Sequence, residues 1–234
     1  MGYSLCEMDI TPIAYYHTVL SGKFGIPRQS GLVPELQGEI VFEPDYSNPD
    51  ALRGIEGFDF LWLVWGFSQI GSGGWRPLVR PPLLGGNRYV GVFATRSPFR
   101  PNRLGLSSVR LLSVENRNGA MLLHVAGADL ADGTPVYDIK PYVEYSDAHT
   151  GVRCGFVDEN NWQKLIVDFP EHLRCLFSDD EFAALYRILE MDPRPQYHNN
   201  PERVYGVSFS GYDVRFKVDA ETLVVVDVLQ SSVQ

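Results

Sequence analysis

The chain has 234 residues, 44% of them hydrophobic, and a net charge of −9 at neutral pH. That apolar content suffices for one large or two modest packed domains and argues against a disordered chain. Three scattered cysteines, Cys6, Cys154 and Cys175, and the lack of any run near the roughly eighteen apolar residues that span a bilayer argue against a disulfide scaffold and a helical membrane protein. With no secretory leader evident in MGYSLCEMDI, the expectation is a cytoplasmic protein with free thiols.

Residues 10–20, apolar and aromatic with Thr11, Thr18 and Val19, predict a first strand broken by Ser21, Gly22 and Gly25. The loop Pro27-Arg28-Gln29-Ser30-Gly31 follows. Its two breakers let a ligand approach the main chain, although plain connection is the simpler reading of these residues alone. Residues 38–44 predict another strand, and Asn48-Pro49-Asp50 starts a short capped helix ended by Gly54 and Gly57. FDFLWLVWGF, at 58–67, is continuously apolar and predicts a central strand buried on both faces, with Trp62 and Trp65 in the core. Gly71-Ser72-Gly73-Gly74 has the wrong spacing for a dinucleotide fingerprint, and Pro77, Pro81 and Pro82 leave no helix behind it.

Between residues 60 and 114 there are seven arginines and neither Asp nor Glu, so the remainder of the chain carries −16. One basic face on an acidic protein fits a polyanion met at one site, because phosphate attraction needs local charge rather than a high isoelectric point. The centre of this island is GVFATRSPFRPNRLGLS, at 91–107. A strand over 89–95 leads in and one over 106–114 leads out. Between them Pro98 and Pro101 hold Ser97 and Arg100 away from helical geometry, which makes a rigid loop bearing Arg96, Arg100 and Arg103. Guanidinium groups there suit a phosphate, a carboxylate or a base edge. Arg76 and Arg80, on the preceding Gly/Pro-rich segment, are further candidate contacts for such a polyanion.

Residues 107–114 and 121–125 flank the hairpin turn Asn116-Arg117-Asn118-Gly119, and Ala126-Gly127-Ala128-Asp129 ends the second strand. Asp132-Gly133-Thr134-Pro135 is a turn, and the strand over 136–143 places Asp138 and Lys140 on one face, where they can pair. The character changes near 150–165. Ser178-Asp179-Asp180-Glu181 caps an amphipathic helix whose apolar face is Phe182, Leu185, Ile188 and Leu189, ended by Asp192-Pro193. A hairpin around Ser210-Gly211 and a strand over 223–229 complete a small α+β unit. The histidines are scattered, so no metal site is expected, and there is neither a G-x-S-x-G turn nor a phosphate-binding loop.

GVFATRSPFRPN, at 91–102, resembles the signature of the TrmO (TsaA-like) family of S-adenosylmethionine-dependent tRNA methyltransferases, and DGTPVYDIKPY, at 132–142, resembles its second characteristic block. Similarity extends to Pro27-Arg28-Gln29, Gly73-Gly74-Trp75-Arg76-Pro77 and Asp192-Pro193-Arg194-Pro195. The resemblance implies a mainly β protein: a compact β-barrel S-adenosylmethionine-binding domain over 1–155 and a small α+β C-terminal domain over 156–234. A homodimer with the cofactor near the subunit boundary, acting on tRNA without metal or membrane, is implied with it. Implied cofactor contacts are Gln29, Ser30, Gly31, Phe67, Ser68, Arg96, Leu106, Ala126, Gly127, Ala128 and Asp129. Asp132, Lys140 and Tyr142 would border methyl transfer, and Arg76, Arg80, Arg100 and Arg103 would face the RNA. The implied reaction methylates N6 of threonylcarbamoyladenosine next to the anticodon of threonine tRNA. Ser30, Ser68 and Arg103 depart from the family pattern, which leads us to expect proline, histidine and proline there. The alternative is a non-catalytic module that binds S-adenosylmethionine or a modified nucleotide.

Overall fold

The computed structural model describes residues 8–20, 22, 24–69, 74–86, 88–159, 163–194 and 200–231. Cys6, Ser21, the Gly71-Ser72-Gly73 run and Pro195 lie outside the described residues. The N-terminal unit contains strands β1 (Ala14–Thr18), β2 (Gln37–Phe42), β3 (Phe60–Gly66), β4 (Leu78–Val79), β5 (Val90–Gly91), β6 (Leu104–Arg117), β7 (Ala120–Ala126) and β8 (Thr134–Pro141). Six of them close an antiparallel barrel in the order β1-β2-β7-β6-β3-β8, while β4 and β5 form a separate two-stranded ribbon.

Strand periodicity explains the barrel core. Inward positions supply Ala14 and Tyr16, Ile40 and Phe42, Leu61, Leu63 and Trp65, Val109, Leu123 and Val125, and Val136. Contrary to the expectation for 58–67, this strand is not buried on both faces. In an antiparallel barrel only alternate residues of β3 face inward, so Phe60, 43% exposed, points out, and Trp62 donates from its half-buried ring to Asp147 at 2.8 Å. The short helix after Asn48 is a 3-10 turn over Pro49–Leu52, with the Asn48 side chain accepting from the Asp50 N–H at 2.9 Å.

β7 and β8 are diametrically opposed in the strand order, so residues 127–133 must cross one end of the barrel to join them. This link is a plug: Ala128 and Leu130 are fully buried in the barrel core, and the Gly133 N–H donates to the Tyr16 carbonyl at 2.8 Å.

Beyond the one-turn helix α1 (Glu144–Asp147), the C-terminal unit comprises β9 (Ile166–Asp168), α2 (Glu171–Arg174), α3 (Asp179–Glu190), β10 (Tyr205–Phe209), β11 (Tyr212–Asp219) and β12 (Thr222–Gln230). Its sheet runs β10-β11-β12-β9, with only β9 and β12 parallel. Ser178 and Glu181 form a reciprocal capping box on α3, whose Ala184, Leu185, Ile188 and Leu189 cover the sheet. The 155/156 boundary expected from sequence falls between the two sheets, but packing does not respect it. Leu20, Val33 and Leu36, on the long β1–β2 loop, are buried in the C-terminal core. The same loop is tied down by Ser210 N–H to the Val19 carbonyl at 3.0 Å, Arg187 to Glu35 at 3.0 Å, and Arg28 to the Asp192 carbonyl at 2.9 Å. Among the described residues no helix is long and apolar enough to cross a membrane.

On the outer barrel face Arg117 makes paired hydrogen bonds to Glu39 (3.1 and 2.9 Å) and to Glu115 (both 2.9 Å), stitching β2 to β6. His124 adds a 2.7 Å contact to Glu115. Arg117 and then His124 pull the Glu115 carboxyl from its ordinary 4.5 down to about 2. A depressed carboxyl stabilises the fold above its ordinary pKa, and that contribution fades as pH falls through the depressed value. Arg117→Ala is therefore expected to lower the thermal midpoint at neutral pH, with the gap to wild type closing from about 4.5 toward about 2; thermal melts across that range check it.

Candidate functional site

The ends of β1, β3 and β7 and the starts of β2, β6 and β8 share the plugged end of the barrel, as their antiparallel registers require. Three of the sequence motifs meet there. The Gly31 N–H donates to the Gly127 carbonyl at 2.8 Å, and the Gly127 N–H donates to the Leu36 carbonyl at 2.9 Å. Gly127 has φ of 78°, a left-handed conformation that favours glycine at the point where the loop and the plug lie against each other.

Two residues beyond that contact, Asp129 is held by a short relay. The buried Trp65 indole N–H donates to Ser107 Oγ at 2.9 Å, and Ser107 donates to the Asp129 carboxylate at 2.5 Å. β6 makes room for the indole with Gly105, where a Cβ would fall 2.3 Å from the ring. Burial raises the Asp129 carboxyl above its ordinary value, opposed in turn by Ser107, its own backbone N–H, the Arg96 charge and the Ser30 main chain. Arg96 is exposed beside it and hydrogen-bonds the Gln29 side chain. Phe67 packs edge-on to Trp65 at 4.4 Å between ring centres, and its N–H donates to the Arg103 carbonyl at 3.0 Å. Ala126 is buried at the end of β7 and Ala128 within the plug, Ser68 is exposed past Phe67, and Leu106 is 57% exposed on the outer face opposite Val64.

Asp132 closes this end, accepting from the Thr18 N–H at 3.1 Å and lying 3.2 Å from His17 Nδ1. Lys140 and Tyr142 do not join it. They lie at the opposite end of β8, about 25 Å away by strand rise. There Lys140 pairs with Asp138 at 2.9 Å and Tyr142 packs against Phe60 and Trp62. The expected strand over 89–95 shrinks to Val90–Gly91 followed by a 3-10 turn over Val92–Ala94, because the facing segment is interrupted by prolines that offer no N–H. Arg100 braces that turn from within, donating to the Thr95 carbonyl at 2.7 Å and the Val92 carbonyl at 3.3 Å, rather than pointing outward to RNA. Arg103 adopts φ of 49°, a left-handed conformation that proline cannot reach. Arg76 and Arg80 are exposed on and beside the ribbon.

Sequence reasoning missed Trp65 and Ser107. Their signal was a serine at an inward position of β6, two residues before Val109, which a barrel core accepts only with a partner. Among the described residues no group of three or more His, Cys, Asp or Glu side chains could hold a metal ion.

A plugged β-barrel thus brings an acid, a guanidinium and the main chain of the 29–31 loop together at one end. Residues 15–148 match the family model described as the tRNA-methyltransferase O N-terminal domain, and residues 165–231 match that of the TrmO C-terminal domain. The chain belongs to the TrmO family. It is 39% identical over 204 residues to the tRNA (adenine(37)-N6)-methyltransferase of Escherichia coli, covering 84% of this chain and 87% of the relative. It is 39% identical over 229 residues to a putative S-adenosylmethionine-dependent methyltransferase of Pseudomonas aeruginosa, covering 94% and 97%. A crystal structure of TrmO from that organism superposes with a TM-score of 0.77 at 32% identity, covering 98% of this chain and all of the other.

Ser107→Ala removes the group that both accepts from Trp65 and donates to Asp129. The expected result is a loss of roughly 1–3 kcal/mol of stability in urea titration at unchanged m-value.

Proposed function

We infer that this chain is an S-adenosylmethionine-dependent tRNA (adenine-N6)-methyltransferase, and that its substrate is threonylcarbamoyladenosine next to the anticodon of threonine tRNA. What carries the reading is the convergence of the Gln29–Gly31 main chain, Arg96 and Asp129 at the plugged barrel end, in a chain that matches both domains of one methyltransferase family.

These residues fit the cofactor. Its amino-acid end is a zwitterion, which an exposed guanidinium and a fixed carboxylate can grip by opposite ends, and its ribose hydroxyls suit carboxylate and main-chain acceptors. When bound, S-adenosylmethionine supplies a methyl group already activated by its sulfonium. The protein's part is then alignment and exclusion of water. Arg96 orients a carboxylate, Asp129 holds the ammonium or ribose, and Phe67 offers an apolar wall. Transfer of that methyl to the substrate N6 would leave the protein one task of its own, to accept the N6 proton. Asp132 fills that role in our reading, with His17 beside it. Arg76, Arg80 and Arg103 remain our candidates for the RNA side. Lys140 and Tyr142 serve the site only if a partner copy brings them to it, which ties them to the homodimer part of the proposal; sedimentation of the purified protein tests that part. The cytoplasm is the setting we assign.

Methyl-labelled S-adenosylmethionine, incubated with this protein and tRNA from cells lacking it, is expected to label threonylcarbamoyladenosine when the digested nucleosides are weighed. Cofactor binding by calorimetry without label would favour the non-catalytic module. Arg96→Ala is expected to weaken cofactor affinity at least tenfold by calorimetry, as loss of a charged hydrogen bond implies. The raised Asp129 carboxyl adds a pH signature. Affinity rises with pH through a titration above the ordinary 3.8, and Asp129→Asn flattens it.

A further inference from the structure

Away from the Asp129 pocket, exposed aromatic rings gather on one ribbon. β4 and β5 pair Leu78 with Gly91 and Val79 with Val90, so Arg80 and Tyr89 leave the same end side by side, with the guanidinium 4.4 Å from the ring centre. At the other end Arg76 lies 4.6 Å over the Phe99 ring, and Arg100 lies 5.6 Å from the Phe93 ring centre. Trp75 is 53% exposed, Tyr89 54% and Phe93 71%. The guanidinium–ring pairs of the C-terminal unit differ. Arg174 sits over Phe182 and Arg203 over Tyr205, rings that pack in or against the second core. On the ribbon the rings face solvent. Leaving large rings in water forgoes the burial that stabilises a fold, and several on one surface mark a site of interaction.

Charge and shape give the partner class. All of these residues fall in the stretch with seven arginines and no acid, so the surface draws a polyanion. Flat rings and guanidinium planes then select for what a polyanion can stack on them, and a nucleobase offers a π-face whatever its sequence. Paired duplex hides those faces, whereas an unpaired loop presents them. We propose that Trp75, Tyr89 and Phe93 form a stacking platform for unstacked bases of a single-stranded tRNA loop, with Arg76 and Arg80 supporting the rings and the RNA backbone and Arg100 bracing the turn that carries Phe93. Phe93 precedes Arg96 by three residues on one rigid loop, which sets the platform beside the cofactor pocket, where a target base must be splayed out. The proposal rests on the tRNA reading above and deepens it: base faces are gripped, not phosphates alone.

The test uses the full chain and two fluorescent RNAs of equal length, a hairpin with an anticodon-type loop and a fully paired duplex, with affinity read by anisotropy. Tyr89→Ala and Phe93→Ala are each expected to weaken hairpin binding about five- to one-hundred-fold while duplex binding stays within about twofold. Tyr89→Phe and Phe93→Tyr, which keep the ring, should restore the affinity. Phe93→Leu, apolar but not planar, should lose as much as Phe93→Ala, and unchanged cofactor binding by calorimetry confirms that each variant is folded. Equal weakening for hairpin and duplex, or hairpin binding indifferent to the rings, overturns the platform. Ring loss that dissociates a dimer in sedimentation while hairpin affinity holds assigns the surface to a second copy and overturns it as well. A wild-type protein that binds neither RNA fails the tRNA reading itself, a result separable from the others.

Discussion

The site depends on one topological constraint, the placing of β7 and β8 on opposite sides of a six-stranded ring. Consecutive strands so placed can be joined only across the mouth of the barrel. Residues 127–133 make that crossing as a buried plug, and a plug that close to the core must satisfy its own main chain. It does so through Gly31, Leu36 and Tyr16, by hydrogen bonds of 2.8 to 2.9 Å. These bonds bring the 29–31 loop to the barrel and set Asp129 over Ser107. The candidate site thus lies on the plugged end rather than inside the barrel.

The seven arginines of the acid-free stretch turn out to have unequal tasks. Arg100 is half-buried and ties the carbonyls of its own loop, while Arg96 is exposed and reaches Gln29. Arg88 finds Glu159 at 3.6 Å, outside the stretch. A guanidinium carries five donors, so one residue type can stiffen a loop, grip a carboxylate and cover a ring. Composition alone sees a single basic island.

Elements whose signals are local were legible in the sequence. The α3 cap and face and the Asn118-Gly119 and Ser210-Gly211 turns all lay where periodicity and turn chemistry put them. The fold class and the candidate-site motifs came from resemblance, because barrel closure is a long-range property with no local signature. The run at 58–67 was misread for a related reason: both faces of β3 are apolar, and only closure decides which one is core. Asp138 and Lys140 were legible as a pair, whereas the separation of Lys140 and Tyr142 from Asp132 needed the direction of β8. The Trp65–Ser107–Asp129 relay joins three strands' worth of sequence distance, and nothing at any one position announces it beyond a polar residue in an inward place.

The β1–β2 loop belongs to two bodies at once. Its Leu20, Val33 and Leu36 complete the core of the C-terminal sheet, while Gly31, between them, rests on the barrel plug. A sequence cut between the two sheets therefore does not yield two interchangeable modules. Grafting a foreign C-terminal unit onto this barrel would present those three side chains to a cavity shaped for others, and the misfit would be felt first at the ligand loop. The natural unit of inheritance is the C-terminal domain together with a loop encoded more than a hundred residues before it, so substitutions in the two should be accepted jointly rather than independently.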